Sequence, residues 1–219
     1  MGGESLPGHP WFPGSAWARS QVRLGGVEPP VDELARVAAA AADGDPLAAA
    51  AFVRATQADV WRLCAHLGDR QSADDLTQET YLRAFGSLHR FAGRSTVRTW
   101  LFSIARRTCA DAIRRTGRRR LTLVGDDELL ERADTGNTAD RVGEDAVVGD
   151  LLARLHPDRR EAFVLTQLMG LPYAEAAAVA DVPVGTIRSR VARARADLVE
   201  ALGADTAADD EHGGRRTHG

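Results

Sequence analysis

Two stretches of the chain, at about 31–120 and 144–202, repeat apolar residues every three or four positions, which is the spacing of amphipathic α-helices. The segment between them, 121–143, contains three glycines and lacks this pattern. Alanine occurs 38 times and isoleucine only three times, which favours helices over strands. The sequence therefore predicts an all-α chain of two small helical domains joined by a flexible acidic linker, with a disordered N-terminal arm (1–30) and a disordered tail (203–219).

The net charge of −3 hides a strongly uneven distribution of charge. Residues 98–120 contain eight arginines and one acid, and residues 184–195 contain four arginines and no acid. Between these basic blocks, residues 121–150 contain nine acids and two arginines. Two basic blocks in a nearly neutral chain indicate a polyanionic partner such as nucleic acid.

Several function classes find no support in the sequence. No apolar run is long enough to span a membrane, and no secretory signal pattern opens the chain. Cys64 and Cys109 have neither metal-ligand nor disulfide-scaffold spacing. Phosphate-loop, nucleophile-elbow and zinc-protease motifs are missing as well. We therefore expect a cytoplasmic protein that uses no cofactor or metal and is not an enzyme.

The second helical block contains a pattern typical of a helix-turn-helix motif. Pro172 suits the start of a helix over 173–180, and residues 181–183 interrupt it before another helix begins at Val184 or Thr186. Small residues at the crossing of two short helices complete the motif. Pro157 is predicted to open an earlier helix. The predicted core side chains before the motif are Leu152, Leu155, Phe163, Leu165 and Leu168.

The last helix of the block combines an apolar stripe with a basic surface. Four arginines lie off the stripe, and Thr186 and Ser189 stand near the N-terminal end of the helix. The second helix of a helix-turn-helix reads bases in the DNA major groove with such side chains. An ordinary amphipathic helix with a solvated arginine face is the alternative. The predicted stripe consists of Val184, Ile187, Val191, Leu198 and Leu202.

In the first block, residues 74–88 predict a helix with two distinct faces. Ser72 is a candidate N-cap, with Asp75 three residues later. One predicted face is core and consists of Thr77, Tyr81, Ala84, Phe85 and Leu88. The opposite face, Asp75, Gln78, Glu79 and Leu82, surrounds one leucine with polar groups. This composition suits a protein-binding patch, and a merely solvated face is the alternative.

A polar loop at 91–98 is followed by a predicted helix at 99–115 that mixes aromatic and basic residues. Such a mixture can hold single-stranded nucleic acid, because bases stack on rings while arginines follow the backbone. Trp100 and Phe102 are nevertheless favoured as core residues. The other predicted core positions are Leu101, Ile104 and Ala105.

Three segments together resemble the extracytoplasmic-function (ECF) sigma factors of bacterial RNA polymerase. They are ADDLTQETYLRAF, STVRTWLFSIARRTCADAIRR and LPYAEAAAVADVPVGTIRSRVARARADL, similar in order to family regions 2.2, 2.3–2.4 and 4.2. The resemblance covers about 35–120 and 145–202. It implies an alternative sigma factor that binds core polymerase, recognises the −10 and −35 promoter elements and directs promoter melting. The predicted domains would then be sigma region 2 (31–120) and sigma region 4 (144–202).

The resemblance also implies partners and site residues. Core RNA polymerase would be bound at its β′ clamp helices and β flap, the former by Asp75, Gln78, Glu79 and Leu82, with Asp74 and Arg83 at the edge. The −10 element, with a flipped base held by the 91–98 loop, would be bound by Arg94, Ser95, Thr96, Arg98, Arg106, Asp111, Arg114 and Arg115. The −35 element would be read by Thr186, Arg188, Ser189, Arg190 and Arg193.

Two positions depart from the family pattern, and some alternatives stay open. Arg107 stands where the family often has asparagine, and Asp181 stands where it often has glycine at the turn. Aspartate tolerates the left-handed backbone region that such a turn requires. The N-terminal arm could contact an anti-sigma factor, and the two domains could pack together and hide their DNA-binding faces. A stand-alone helix-turn-helix regulator of duplex DNA remains the alternative function.

Overall fold

The computed structural model describes residues 31–68, 70–123 and 144–213, and every regular element in these ranges is helical. The first part contains α1 (Val31–Ala42), α2 (Pro46–Leu67), α3 (Ala73–Ser87) and α4 (Val97–Leu123). The second part contains α5 (Glu144–Ala153), α6 (Pro157–Phe163), α7 (Tyr173–Ala180) and α8 (Val184–Gly213). Short 3₁₀ turns flank α3 at Arg70–Ser72 and Leu88–Arg90. The predicted arm and residues 124–143 of the predicted linker (121–143) lie outside the described residues, whereas 121–123 belong to α4.

The first four helices pack around an aromatic cluster. Phe52 of α2 meets Tyr81 and Phe85 of α3 edge to face, with ring centroids 6.4 and 6.0 Å apart. The Tyr81 hydroxyl lies 2.7 Å from the Thr56 hydroxyl, so its polar end is satisfied inside the core. The aromatic face of α3 is therefore committed to α2, and the opposite face of α3 is left for solvent or a partner.

The junction of α2 and α3 depends on a glycine. A Cβ atom at Gly68 would lie 2.7 Å from Leu76 Cδ1 and 2.9 Å from the Cys64 carbonyl oxygen. Leu76 Cδ1 is the end of a flexible side chain, but the Cys64 carbonyl is backbone and cannot yield, so a larger residue at position 68 would strain the end of α2 where it meets α3. Ser72 is the N-cap residue of α3, as predicted, but its side chain makes no capping hydrogen bond.

The fourth helix is longer than predicted. It starts at Val97 rather than Thr99 and continues to Leu123. The Thr96 hydroxyl accepts a hydrogen bond of 3.1 Å from the Thr99 amide, which caps the first turn. Leu101, Phe102, Ile104 and Ala105 are buried as expected, whereas Trp100 is half-buried against Phe91, with ring centroids 5.2 Å apart.

The helix-turn-helix forms at the predicted residues. Helix α7 begins after Pro172, and α8 begins at Val184. Asp181 between them has φ 56° and ψ 49°, the left-handed conformation, so this aspartate takes the place of the family glycine. His156 caps α6 by accepting a hydrogen bond from the Asp158 amide, and Pro157 is in the first turn of that helix.

Three sequence predictions for this domain need correction. Leu168 is 36 % exposed rather than core, because Val164–Leu168 form a π-helical turn that rotates the following side chains out of the 3.6-residue register. Leu202 is 50 % exposed, although Ile187 and Val191 of the same predicted stripe are buried. Helix α8 also continues through the predicted tail as far as Gly213, since alanine-rich sequence sustains a helix.

The two parts pack against each other. Helix α7 lies along α4, while α6 and the π-helical turn contact α2. The buried residues of both parts form one connected cluster. No helix in the described ranges has the length and hydropathy needed to cross a bilayer. The packing places the first helix of the helix-turn-helix directly beside the basic helix of the other domain.

Candidate protein and nucleic-acid interfaces

The predicted protein-binding face of α3 is present on the surface. Asp75 is exposed, Gln78 and Glu79 are half-exposed, and Leu82 is 52 % exposed in the middle of this polar surface. The face follows from the fold, because the aromatic side of α3 is turned towards α2. An apolar side chain surrounded by carboxylate and amide groups can bind another protein by burying the leucine and pairing the polar rim.

The beginning of this face is fixed by a side-chain contact from α2. The indole N–H of Trp61 donates a hydrogen bond of 2.8 Å to Asp74 Oδ1, and the guanidinium of Arg70 lies 5.4 Å from the centre of the Trp61 ring. Asp74, which was predicted at the edge of the face, also holds the first turn of α3 against α2 through this hydrogen bond. Trp61 was not identified from the sequence as part of this region.

Arg83, the other predicted edge residue, points towards α4. Its Nε donates to Glu79 at 2.7 Å and its Nη1 donates to Asp111 at 2.8 Å. Asp111 also accepts a hydrogen bond of 2.5 Å from Arg114. Arg83 and Arg114 lower the pKa of the Asp111 carboxyl, and Asp111 and Glu79 raise the pKa of the Arg83 guanidinium. These four residues form a continuous ionic chain from α3 to α4.

The predicted −10 residues differ in their accessibility. Arg94, Ser95, Arg114 and Arg115 are exposed. Arg98 is not: its Nη2 donates to Asp59 of α2 at 3.0 Å, and its guanidinium lies 5.2 Å from the centre of the Phe102 ring. With 23 % of its side chain exposed, Arg98 holds the start of α4 against α2. The sequence could not show this pairing, because 39 residues separate the two partners.

Two carboxylates of the second part lie on the predicted −10 surface of α4. Glu175 of α7 accepts hydrogen bonds from the hydroxyls of Thr96, at 3.2 Å, and Thr99. Glu161 of α6 accepts a hydrogen bond from the guanidinium of Arg106. Carboxylates thus occupy two positions at and near the start of α4 where phosphate oxygens could bind, namely a helix N-terminus lined by hydroxyls and the guanidinium of Arg106. Thr99, Glu161 and Glu175 were not among the predicted site residues.

The predicted −35 residues share the first turns of α8. Arg188, Ser189 and Arg193 are exposed, and Thr186 is half-exposed. Arg190 is held by Asp158 of α6, with Nη2 and Oδ2 2.6 Å apart, and 21 % of its side chain is exposed. The helix therefore presents hydroxyl and guanidinium donors together, the groups that contact base edges and phosphates in a major groove. Within the described residues, Arg190 is the one predicted −35 residue that is paired with an acid of another helix.

No other chemistry stands out in the described parts of the chain. No three His, Cys, Asp or Glu side chains converge there as a metal site would require. Cys64 and Cys109 are free and buried. Their mutual hydrogen bond lowers the pKa of the Cys64 thiol and, together with burial, raises that of Cys109. Buried thiols of this kind serve packing rather than reactivity.

Comparison with known proteins gives matches in both parts of the chain. The family described as Sigma-70 region 2 matches residues 52–119, and the family described as Sigma-70, region 4 matches residues 146–198. The probable RNA polymerase sigma-C factor of Mycobacterium bovis is 53 % identical over 175 residues, which are 80 % of this chain and 91 % of that protein.

Solved structures show the same fold. CnrH, in complex with the cytosolic domain of CnrY, has a TM-score of 0.59 at 29 % identity and covers 78 % of this chain and 97 % of its own. The sigma factor RpoE of Bartonella quintana, in complex with the anti-sigma factor NepR, has a TM-score of 0.55 at 28 % identity. The match covers 80 % of this chain and 96 % of the RpoE chain.

Proposed function

Because this chain belongs to the extracytoplasmic-function family of RNA polymerase sigma factors, we propose that its two helical domains divide promoter recognition between them. It is an alternative sigma factor that directs transcription initiation by bacterial RNA polymerase. The presence of both sigma regions in one chain does not favour the stand-alone regulator that the sequence left open. The protein acts by binding polymerase and promoter DNA rather than by catalysis, and it acts in the cytoplasm.

The first domain, 31–120, docks on polymerase through α3. Asp75, Gln78 and Glu79 form the polar rim around Leu82, which is 52 % exposed and unused by the core of its own domain. We assign this face to the β′ clamp helices. The β flap is assigned to the second domain, 144–202. The buried aromatic cluster on the other side of α3 gives the face a rigid support, so little ordering entropy is lost on docking.

The −10 element is captured by α4 and the loop that precedes it. Arg94 and Ser95 are exposed in that loop, and Arg114 and Arg115 are exposed on the helix. Unstacking a base costs a few kcal/mol, which a protein without ATP chemistry must offset by holding the extruded base and its phosphates. The basic helix and its loop provide donors for this purpose. Duplex −35 DNA is read by α8, whose Arg188, Ser189 and Arg193 are accessible.

Binding of the −10 element requires the two domains to separate. Glu161 accepts a hydrogen bond from Arg106, and Glu175 accepts hydrogen bonds from the hydroxyls of Thr96 and Thr99. Arg106 and Thr96 belong to the proposed DNA surface, and Thr99 adjoins it. Phosphate oxygens and these carboxylates would compete for the same donors. Polymerase must therefore stabilise an open arrangement. Since the similar RpoE was solved with an anti-sigma factor, we propose that such a factor is also a partner of this chain.

One observation carries the proposal: a single chain combines the polar α3 face, the basic helix α4 and a complete helix-turn-helix. The test is run-off transcription with purified core RNA polymerase on fragmented genomic DNA, followed by mapping of the RNA 5′ ends. Discrete start sites that require this protein, preceded by two shared sequence elements, are expected. The matched control is R188A/R193A, which should remove the shared upstream element. Starts that are independent of the protein would contradict the proposal.

A further inference from the structure

The ionic chain between α3 and α4 joins the two surfaces that the proposed function assigns to polymerase and to DNA. Glu79 belongs to the polymerase face, and Arg114 belongs to the −10 surface. Arg83 lies between them, 2.7 Å from Glu79 and 2.8 Å from Asp111. About one third of the Arg83 side chain is exposed, so it is directed along the protein surface rather than out towards a partner.

Asp111 is the one acidic residue among 98–120, where eight arginines occur. A carboxylate in the middle of a DNA-binding helix repels phosphates within about one Debye length, roughly 8 Å at physiological salt. In this structure the charge is compensated on both sides, by Arg83 from α3 and by Arg114 from its own helix. If Arg114 turns to a phosphate, only Arg83 is left to neutralise Asp111.

We propose that Arg83 is a positioning residue for promoter DNA: it neutralises Asp111 and holds it against α3, so that Arg114 is free to bind a phosphate of the −10 strand. This assigns Arg83 a role different from an edge contact with polymerase, and Asp111 a role different from direct DNA contact. The inference rests on the proposed function. The raised pKa of Arg83 and the lowered pKa of Asp111 agree with a pair that stays charged.

The arrangement also makes the two surfaces interdependent. Arg83 divides its guanidinium between Glu79 and Asp111. When a basic side chain of polymerase pairs with Glu79, Arg83 is left to Asp111 alone. Asp111 then holds Arg114 less strongly. Polymerase docking would in this way release a DNA-binding arginine on the neighbouring helix, about one turn beyond Asp111.

The test uses full-length R83Q, D111N, R83Q/D111N and R83K, each assembled with core polymerase. Two affinities are measured: that of the sigma variant for core polymerase, and that of the saturated complex for a labelled 12-nucleotide non-template strand. The strand carries the −10 sequence obtained from the mapped 5′ ends. If wild type yields no such starts, the proposed function itself has failed, and this outcome is distinguishable from failure of the Arg83 assignment.

We expect R83Q to weaken strand binding about fivefold while polymerase affinity stays within twofold. The slope of log affinity against log salt should become shallower by about 0.7, the value for one lost cation on a single strand. D111N in the R83Q background should restore strand binding, and R83K should retain it, because both leave no uncompensated carboxylate. E79Q/R83Q is the matched control and should not restore strand binding.

Two results would overturn the assignment. Loss of polymerase affinity in R83Q with unchanged strand binding would make Arg83 a polymerase contact. Loss of strand binding in D111N alone, with no rescue in the double variant, would make Asp111 a direct DNA contact. Far-UV circular dichroism of each variant checks that the helices are intact. R83K, which keeps the charge, decides the question should R83Q fold poorly.

Discussion

The carboxylate of Glu161 on α6 accepts a hydrogen bond from the guanidinium of Arg106 on α4, 55 residues earlier in the chain. The side chains of Glu161 and Arg106 are 15 % and 29 % exposed, so the contact is largely shielded from water. Together with Glu175 on Thr96 and Thr99, it joins the two domains across the proposed −10 surface. The closed arrangement is therefore held by these polar contacts as well as by apolar packing between the two parts, and in the proposed function DNA phosphates replace the polar contacts.

We expect E161Q/E175Q to open this arrangement. Each variant side chain keeps its shape but loses the charge that strengthens its hydrogen bond, at about 1.5–3 kcal/mol for a charged bond before screening by solvent. The free protein should then bind single-stranded DNA roughly tenfold more tightly and show a larger radius of gyration in small-angle scattering. Unchanged affinity and radius would mean that apolar packing alone holds the domains together. D181N/E200Q, which removes two exposed carboxylates that take no part in these contacts, is the charge-matched control.

Q78A/E79A should weaken binding to core polymerase at least tenfold while leaving helicity unchanged. Both side chains are half-exposed on the face of α3 that does not contact α2, so the core does not depend on them. Titration of labelled variant with core polymerase measures the loss. E200A, an exposed acid on α8, serves as the control for charge. Normal polymerase affinity in Q78A/E79A would make this face ordinary solvated surface.

D158N should increase duplex affinity for the −35 element by a few fold. Asp158 holds Arg190 at 2.6 Å, and only 21 % of the Arg190 side chain is exposed, so loss of the Asp158 charge favours turning this guanidinium out to solvent. The released Arg190 can then reach the groove.

R190A should in turn lower discrimination between −35 sequences by about 1–3 kcal/mol if the arginine is bidentate to a base. Fluorescence anisotropy with specific and scrambled duplexes separates these effects, and equal weakening of both duplexes would indicate a phosphate contact.

Stability should fall as the pH rises above about 10, the ordinary pKa of a tyrosine. Burial raises the pKa of Tyr81, so the folded state keeps this phenol protonated while the unfolded state releases the proton. The stabilising contribution is complete below the unfolded pKa and is lost as alkali titrates the unfolded chain. In a Y173F background, where Tyr81 is the remaining tyrosine, phenolate absorbance should appear together with loss of helical signal. Phenolate formation in a still folded chain would show that Tyr81 is accessible.

The sequence predicted best those elements whose ends are marked by residues that start or interrupt a helix. Pro172 and the segment 181–183 delimit α7 so clearly that the helix-turn-helix was placed at its observed residues. The polar face of α3 could also be predicted, because the periodicity of a single helix separates it from Tyr81 and Phe85. Its assignment to polymerase and the individual DNA contacts stay predictions.

What the sequence missed depends on contacts between distant residues or on a local change of helix type. Arg98 pairs with Asp59, which is 39 positions away in the sequence. Thr99 donates a hydrogen bond to Glu175, which is 76 positions away. No periodicity within one helix carries such information. Leu168 was placed in the core on a 3.6-residue pattern, which fails across a π-helical turn.

Every cation in the ion pairs described above is an arginine, and the chain contains no lysine at all. A guanidinium stays protonated at any pH a cell experiences. The strength of these contacts can therefore vary with acidity only through their carboxylate partners. Lysine acetylation, by which many nucleic-acid-binding proteins lose positive charge after synthesis, has no acceptor side chain anywhere in this sequence.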